Sequence, residues 1–181
     1  MTHPEPFGVP GYQVAYLQTG DLASLQDLLG RCGDYFKLVS GAPPSPSEAE
    51  NLLTDCPPGK DLESKFVLGV SQAGGKLIAV MDVAQDYPEE GDWWLGLLLL
   101  DPHYRSQGLG RSLYTAFESW ARNNGVQNMF LGVLEANPRA RRFWQCLSFE
   151  MVERRPAALF GDREHIVIVM KRSLNVFTEK S

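Results

Sequence analysis

The segment LLLLDPHYRSQGLGRSLYTAFESW, Leu97 to Trp120, constrains the fold more than any other. An apolar run breaks at Asp101-Pro102 into a loop holding Arg105, Gln107, Gly108 and Gly110. Leu109, Leu113, Ala116, Phe117 and Trp120 then recur on one face of a helical period, and Asn124-Gly125 supplies a stop. Upstream, Trp93 to Leu100 is apolar on both faces, as in a central strand covered on both sides. Met129 to Leu134 predicts a second buried strand. A strand, a helix and a strand in this order form a right-handed parallel crossover. The loop thus lies where the strand ends and the helix begins. There the first N–H groups lack intrahelical partners, and the positive end of the helix dipole favours an anion. Glycine lets backbone approach a ligand closely. Arg105 and Arg111 add guanidinium groups suited to phosphate.

The remaining elements arrange around this crossover. Residues 1–11, rich in Pro and Gly, predict an N-terminal arm. Tyr12 to Leu17 alternates as a first strand. Asp21 is placed to cap a helix bearing Leu22, Leu25, Leu28 and Leu29. Ser47 with Glu50 reads as a capping box for a short helix through Leu53. Phe66 to Val70 and Lys76 to Ala84 form a hairpin around Gly74-Gly75. Asn137-Pro138 opens a helix whose apolar face is Ala140, Phe143, Trp144 and Leu147. Phe149 to Glu153 and Glu164 to Lys171 close the chain as a strand pair, and residues 173–181 form a tail that frays. The predicted order is β, α, α, β, β, β, α, β, α, β, β. It describes a mixed α/β sheet of about seven strands, antiparallel around one parallel crossover, flanked by about four helices. With no internal repeat or linker, residues 1–181 read as one domain.

Composition narrows the function. A net charge of -5 argues against non-specific nucleic-acid binding, which needs a basic surface. The longest apolar stretch, Trp93 to Leu100, is far short of the ~20 residues that span a bilayer. The start, MTHPEPFGVPGYQ, shows no cationic segment followed by an apolar one, so a cytoplasmic location is expected. Cys32, Cys56 and Cys146 form no CxxC, and His3, His103 and His165 are scattered, so neither a disulfide framework nor a metal site is expected. A P-loop is absent, and Gly108-Leu109-Gly110 lacks the third glycine of a dinucleotide fingerprint.

RSQGLG has the form [R/Q]-x-x-G-x-[G/A], and NPRARRFWQCLSF follows after one helix and one strand. In motif and order, residues 93 to 150 resemble the GCN5-related N-acetyltransferase (GNAT) family. The resemblance implies a GNAT-like acyl-CoA N-acyltransferase fold and acetyl-CoA as cofactor, its pyrophosphate on the loop of Arg105, Ser106, Gln107, Gly108, Leu109, Gly110 and Arg111. Leu98 and Leu100, with Leu99 between them, match the strand whose main chain pairs with pantetheine. Asn137 and Phe143 match the helix beside the thioester. Arg139, Arg141 and Arg142 read as a solvated helix face, from which Arg141 or Arg142 is placed to reach the adenosine 3′-phosphate.

Acetyl transfer to an amine needs a base for the ammonium proton, a donor for the oxyanion and a proton for the departing thiolate. The family's usual glutamate position is Trp94 here, its usual tyrosine position is Trp144, and the glycine usual before the final Phe is Ser148. Asp82 interrupts an apolar strand, Asp92 shares a strand face with Trp94, and Glu135 ends a strand; these are the candidate catalytic carboxylates, in that order. Trp94 and Trp144 are candidates for an acceptor site that favours an apolar or aromatic amine. Tyr35 and Phe36, between the first two helices, are candidates on the family's pattern. The leading reading is an acetyl-CoA-dependent N-acetyltransferase acting on a small-molecule or peptide amine, with a homodimer compatible. The alternative is a non-catalytic acyl-CoA-binding module. Acylation of aminoacyl-tRNA fits the negative charge poorly.

Overall fold

The computed structural model describes residues 4–175. In chain order its strands are β1 (Tyr12–Tyr16), β2 (Lys65–Gln72), β3 (Leu77–Gln85), β4 (Asp92–Leu100), β5 (Asn128–Leu134), β6 (Glu150–Arg154), β7 (Ala158–Phe160), β8 (Arg163–His165) and β9 (Val167–Ser173). Its helices are α1 (Leu22–Arg31), α2 (Gly33–Ser40), α3 (Glu48–Thr54), α4 (Leu109–Asn123) and α5 (Pro138–Cys146). Seven strands make one mixed sheet in the order β1-β2-β3-β4-β5-β9-β6. Only β4 and β5 are parallel neighbours; the other pairs run antiparallel.

The two sheet faces have separate cores. On one face Leu113, Phe117 and Ala121 of α4 and Trp144 of α5 pack on Leu68, Ile78, Met81, Leu95 and Met129. On the other, Leu25, Leu28 and Leu29 of α1, Phe36 of α2 and Ala49 of α3 pack on Val67, Val80 and Leu99. Strand side chains alternate between faces, so each core is read from every second residue. β4 changes phase partway. Asp82 pairs with Leu97 and Val83 with Leu95, which leaves Gly96 as the extra residue of a bulge. Before the bulge Trp93 and Leu95 face α4; after it Leu98 and Leu100 do, and Leu97 and Leu99 join the other core.

Several local expectations are corrected. Residues 33–40, read as a connection, form the helix α2, which ends where Gly41 takes a left-handed φ of 83°. The helices among the described residues are therefore five. Ser47 makes no cap bond; Ser45 holds the start of α3 instead, through its N–H and Oγ to Glu48 Oε2. The strand expected over Glu164 to Lys171 is broken. Residues 158–165 fold into the β7–β8 hairpin, and the strand that pairs with β6 starts at Val167.

The N-terminal arm lies against the first core. Phe7 and Val9 are buried, and Trp120 Nε1 donates to Glu5 O at 2.8 Å. Most of the expected tail, residues 176–181, lies outside the described residues, but Leu174 is buried and its N–H donates to Gln127 O at 2.8 Å.

Candidate functional site

The site begins where β4 and β5 part. They are in register from Asp92 against Asn128 to Leu95 against Leu131 and no further, although both strands continue. Beyond Leu95, β4 pairs only with β3, and β5 only with β9. The main chain facing the gap follows from the antiparallel repeat. Asp101 N–H donates to Ile78 O at 2.8 Å, so Leu99 and Leu97 occupy the hydrogen-bonded pairs with β3. Leu98 and Leu100 alternate with them and turn their N–H and C=O toward the gap. An extended ligand could pair there as a further strand would.

A cavity of about 560 Å³ lies along this open side of β4, lined by Leu98, Leu99, Leu100, Arg105, Ser106, Gly108, Gly110, Arg111, Asn137, Phe143 and Trp144, and also by Asp34, Tyr35 and Leu38. The structure thus brings most of the expected cofactor residues together. At its mouth Gly108 has a left-handed φ of 85°, and a Cβ there would meet nothing within 4 Å. Ser112 N–H to Gly108 O, at 3.0 Å, is the first helical bond, which leaves the N–H groups of Leu109, Gly110 and Arg111 ahead of the ladder of α4. Ser106 is left-handed too, at φ 62°, and its Oγ accepts from Arg139 Nη2 at 2.6 Å. Arg139 therefore lines the cavity, whereas Arg141 and Arg142 do not. Gln107 turns its amide back to His103 O, so only its main chain is offered to the loop. Leu109 is buried beneath it.

Arg105 is already engaged. Its Nε donates to Leu100 O at 2.8 Å and its outer nitrogens pair with the Asp34 carboxylate. That hydrogen bond holds Asp34 below the usual carboxylate range. Arg105 thus fastens the loop to β4 and to α2. Asn137 caps α5, its Oδ1 accepting from Ala140 N–H at 3.1 Å. Phe143 approaches Gly110, where a Cβ would stand 3.5 Å from the ring.

A second cavity of about 390 Å³ lies beside the bulge, lined by Asp82, Gly96, Trp94, Lys65, Tyr87, Ala84, Arg155 and part of α3. Gly96 lines this one and Leu98 the first, so both cavities draw on β4 at positions two residues apart. A Cβ on Gly96 would stand 2.8 Å from Asp82 Oδ2, so the missing side chain is what admits the carboxylate. Lys65 Nζ is 3.0 Å from Asp82 Oδ1, yet Oδ1 has no aligned hydrogen bond, so the pair is an ion contact that leaves acceptor capacity. Burial raises the Asp82 pKa, and Lys65 opposes the rise.

The other candidates are placed elsewhere. Asp92 is buried and accepts from Asn128 Nδ2 at 2.7 Å, in the part of β4 still paired with β5. Glu135 forms a two-bond pair with Arg154, whose hydrogen bond lowers its pKa. Phe36 is buried and lines neither cavity, while Tyr35 lines the first. Trp144 packs against Tyr114, Phe143 and Phe149 and forms the apolar floor of the first cavity. Trp94 lines the second, its ring parallel to Phe130 at 6.4 Å. Sequence reasoning passed over Lys65, Arg155 and the bulge. A lone glycine within an apolar strand was the available signal for the last.

A chain with splayed parallel strands and a glycine loop at the next helix invites comparison with known acyl-transfer folds. The family model described as "Acetyltransferase (GNAT) family" matches residues 32–149, and the chain belongs to that family. Among solved structures, an acetyltransferase from Thermus thermophilus is similar with a TM-score of 0.70 at 23% identity, covering 90% of this chain and 96% of that one. The ribosomal-protein-S18-alanine N-acetyltransferase of Escherichia coli is similar at 0.69 and 20% identity, covering 94% and 98%. The spermidine N-acetyltransferase of Vibrio cholerae, solved with CoA and spermine, is similar at 0.69 and 16% identity, covering 91% and 96%. No curated protein matched by sequence. Among the described residues, no helix is long and apolar enough to cross a membrane.

Proposed function

We propose that this chain is a single-domain, acetyl-CoA-dependent N-acetyltransferase acting on a primary amine. The observation that carries this reading is the gap between β4 and β5, edged by the main chain of Leu98 and Leu100 and closed by the Gly108–Gly110 loop. The residues present fit an acyl-CoA: the main-chain groups of Leu98 and the N–H of Leu100 for the pantetheine, and an open glycine with helix-start N–H groups and Arg111 and Arg139 for the diphosphate. When bound, acetyl-CoA supplies the thioester from which the acetyl group leaves. Asp82 is the assigned base, in line with its place beside the bulge. Its carboxylate takes a proton from the acceptor's ammonium, which frees the nitrogen lone pair for attack. Attack on the thioester would form the C–N bond and break the C–S bond, with the nitrogen's second proton passing to the departing sulfur, so that an amide and the CoA thiol result. The main-chain N–H of Leu98 is the assigned donor to the carbonyl oxygen. The acceptor enters by the second cavity, beside Trp94.

The alternative, an acyl-CoA-binding module without turnover, draws on the burial of Trp144 where the family usually has an acid. Calorimetry with CoA and turnover with an amine panel test both readings. Gly108→Ala and Gly110→Val are expected to weaken CoA binding at least tenfold. Wild-type affinity in both variants overturns the cleft assignment. Tight CoA binding with no acetylated product across the panel selects the module.

A further inference from the structure

The acceptor cavity holds a cation that the proposed transfer does not use. Arg155 follows β6, beyond β5 and β9 from the catalytic strand, and its N–H is fixed to Val167 O at 2.9 Å. Its side chain reaches back across the sheet, so that the guanidinium lies 5.3 Å from the centre of the Trp94 ring. Trp94 is itself held between Tyr87, edge-on at 5.6 Å, and Phe130. The ring thus gives Arg155 a fixed seat. Among the described residues its only carboxylate contact is a loose one, Nε to Glu153 Oε2 at 3.5 Å. Its outer nitrogens make no hydrogen bond there, although the residue lines the cavity.

Asp82 enters the same cavity from β3, on the opposite side of β4. The same cavity is lined by the apolar groups of Trp94, Tyr87, Ala84, Leu52 and Pro57. The remaining charged groups do not compete for Arg155. Lys65 is committed to Asp82 and to Asp55 O, Glu48 is bonded to Ser45, and Asp55 stands exposed on the rim.

We infer that the acceptor is dipolar: an amino acid or similarly small amine with an apolar or aromatic side chain and a free carboxylate, the ammonium at Asp82 and the carboxylate on Arg155. Guanidinium binds carboxylate with two parallel hydrogen bonds, and a stacked arginine loses little freedom in doing so. The cavity of about 390 Å³ is of small-molecule size. This inference rests on the acetyltransferase reading and narrows its acceptor.

The test compares matched acceptors: phenylalanine, phenylalaninamide and phenethylamine, then leucine, leucinamide and isoamylamine, each with acetyl-CoA. The wild type is expected to use the free acids with KM at least tenfold below the amides. Arg155→Gln is expected to raise KM for the acids at least tenfold and to erase their advantage, with Arg155→Lys intermediate. CoA calorimetry on each variant reports folding, and Arg155→Lys carries the comparison if Arg155→Gln does not fold. Equal use of acid and amide, preference for the decarboxylated amines, an acid-to-amide ratio unmoved in the Arg155 variants, or acetylation of none of the six overturns the carboxylate anchor. A wild type that fails to bind CoA at all overturns the cleft reading beneath it.

Discussion

Asp82 combines three conditions that no other carboxylate among the candidates meets. It lines a cavity, it borders the bulge of β4, and burial raises its pKa even with Lys65 beside it. The direction fixes the pH dependence. A raised pKa means the carboxyl is protonated, and unable to take a proton, over part of the acid range where an ordinary carboxylate is ionised. Activity is therefore expected to fall as pH drops through a limb above the ordinary carboxylate value. For folding the same shift acts in reverse: its stabilising contribution is present below the ordinary value and lost as pH rises through the raised one. Asp82→Asn is expected to lower kcat about 10²-fold or more and to remove the acid limb, with CoA affinity kept. An unchanged pH–rate profile in this variant would move the role elsewhere. Ser148 shows a different residue-scale lesson. Its φ of 63° is left-handed, which explains physically why glycine is usual at that position.

At the scale of one element, β4 carries the site because it is irregular. The bulge at Gly96 reverses which residues face α4, and it opens the space that Asp82 occupies. Gly96→Ala puts a methyl group where the Asp82 carboxylate lies, with the backbone at an allowed φ. The expected result is a loss of kcat with CoA affinity retained, separated by single-turnover kinetics and calorimetry. Retained kcat would show that the carboxylate can move without consequence. The helix α4 was legible from its heptad-like face and its stop. The bulge was harder to read, because Leu97 to Leu100 are four identical residues and carry no alternation to reveal a change of phase. The helix α2 was missed because it is short and separated from α1 by Cys32 alone. The β7–β8 hairpin was missed for another reason: its support is remote. His165 Nε2 contacts Leu38 O and Val39 O, and Asp162 N–H donates to Ser40 O, so the end of α2 holds the hairpin in place.

Across the whole molecule, the first cavity joins parts far apart in sequence: α2 through Asp34 and Tyr35, β4, the start of α4, and α5. A ligand seated there contacts β4, the start of α4 and α5 at once, an arrangement the unfolded chain does not offer. At a hundredfold excess over its Kd, CoA is expected to stabilise the fold by about 2.7 kcal/mol, seen as a rise in Tm. Gly110→Val is expected to lose that rise. A Tm indifferent to saturating CoA would contradict binding in the cleft.

The sequence alone determined the parallel crossover, the glycine loop at the helix start and the family resemblance, because these rest on short-range periodicity and on residues adjacent in the chain. It could also name Asp82 as the carboxylate out of place in an apolar strand. The tertiary structure decided what the strand period could not: that β4 changes phase at Gly96, that Lys65 from β2 meets Asp82, and that Arg155 from beyond β6 lies over Trp94. Each of these joins strands through the order of the sheet. Sheet order and register are set by packing across the whole fold, not by neighbours along the chain.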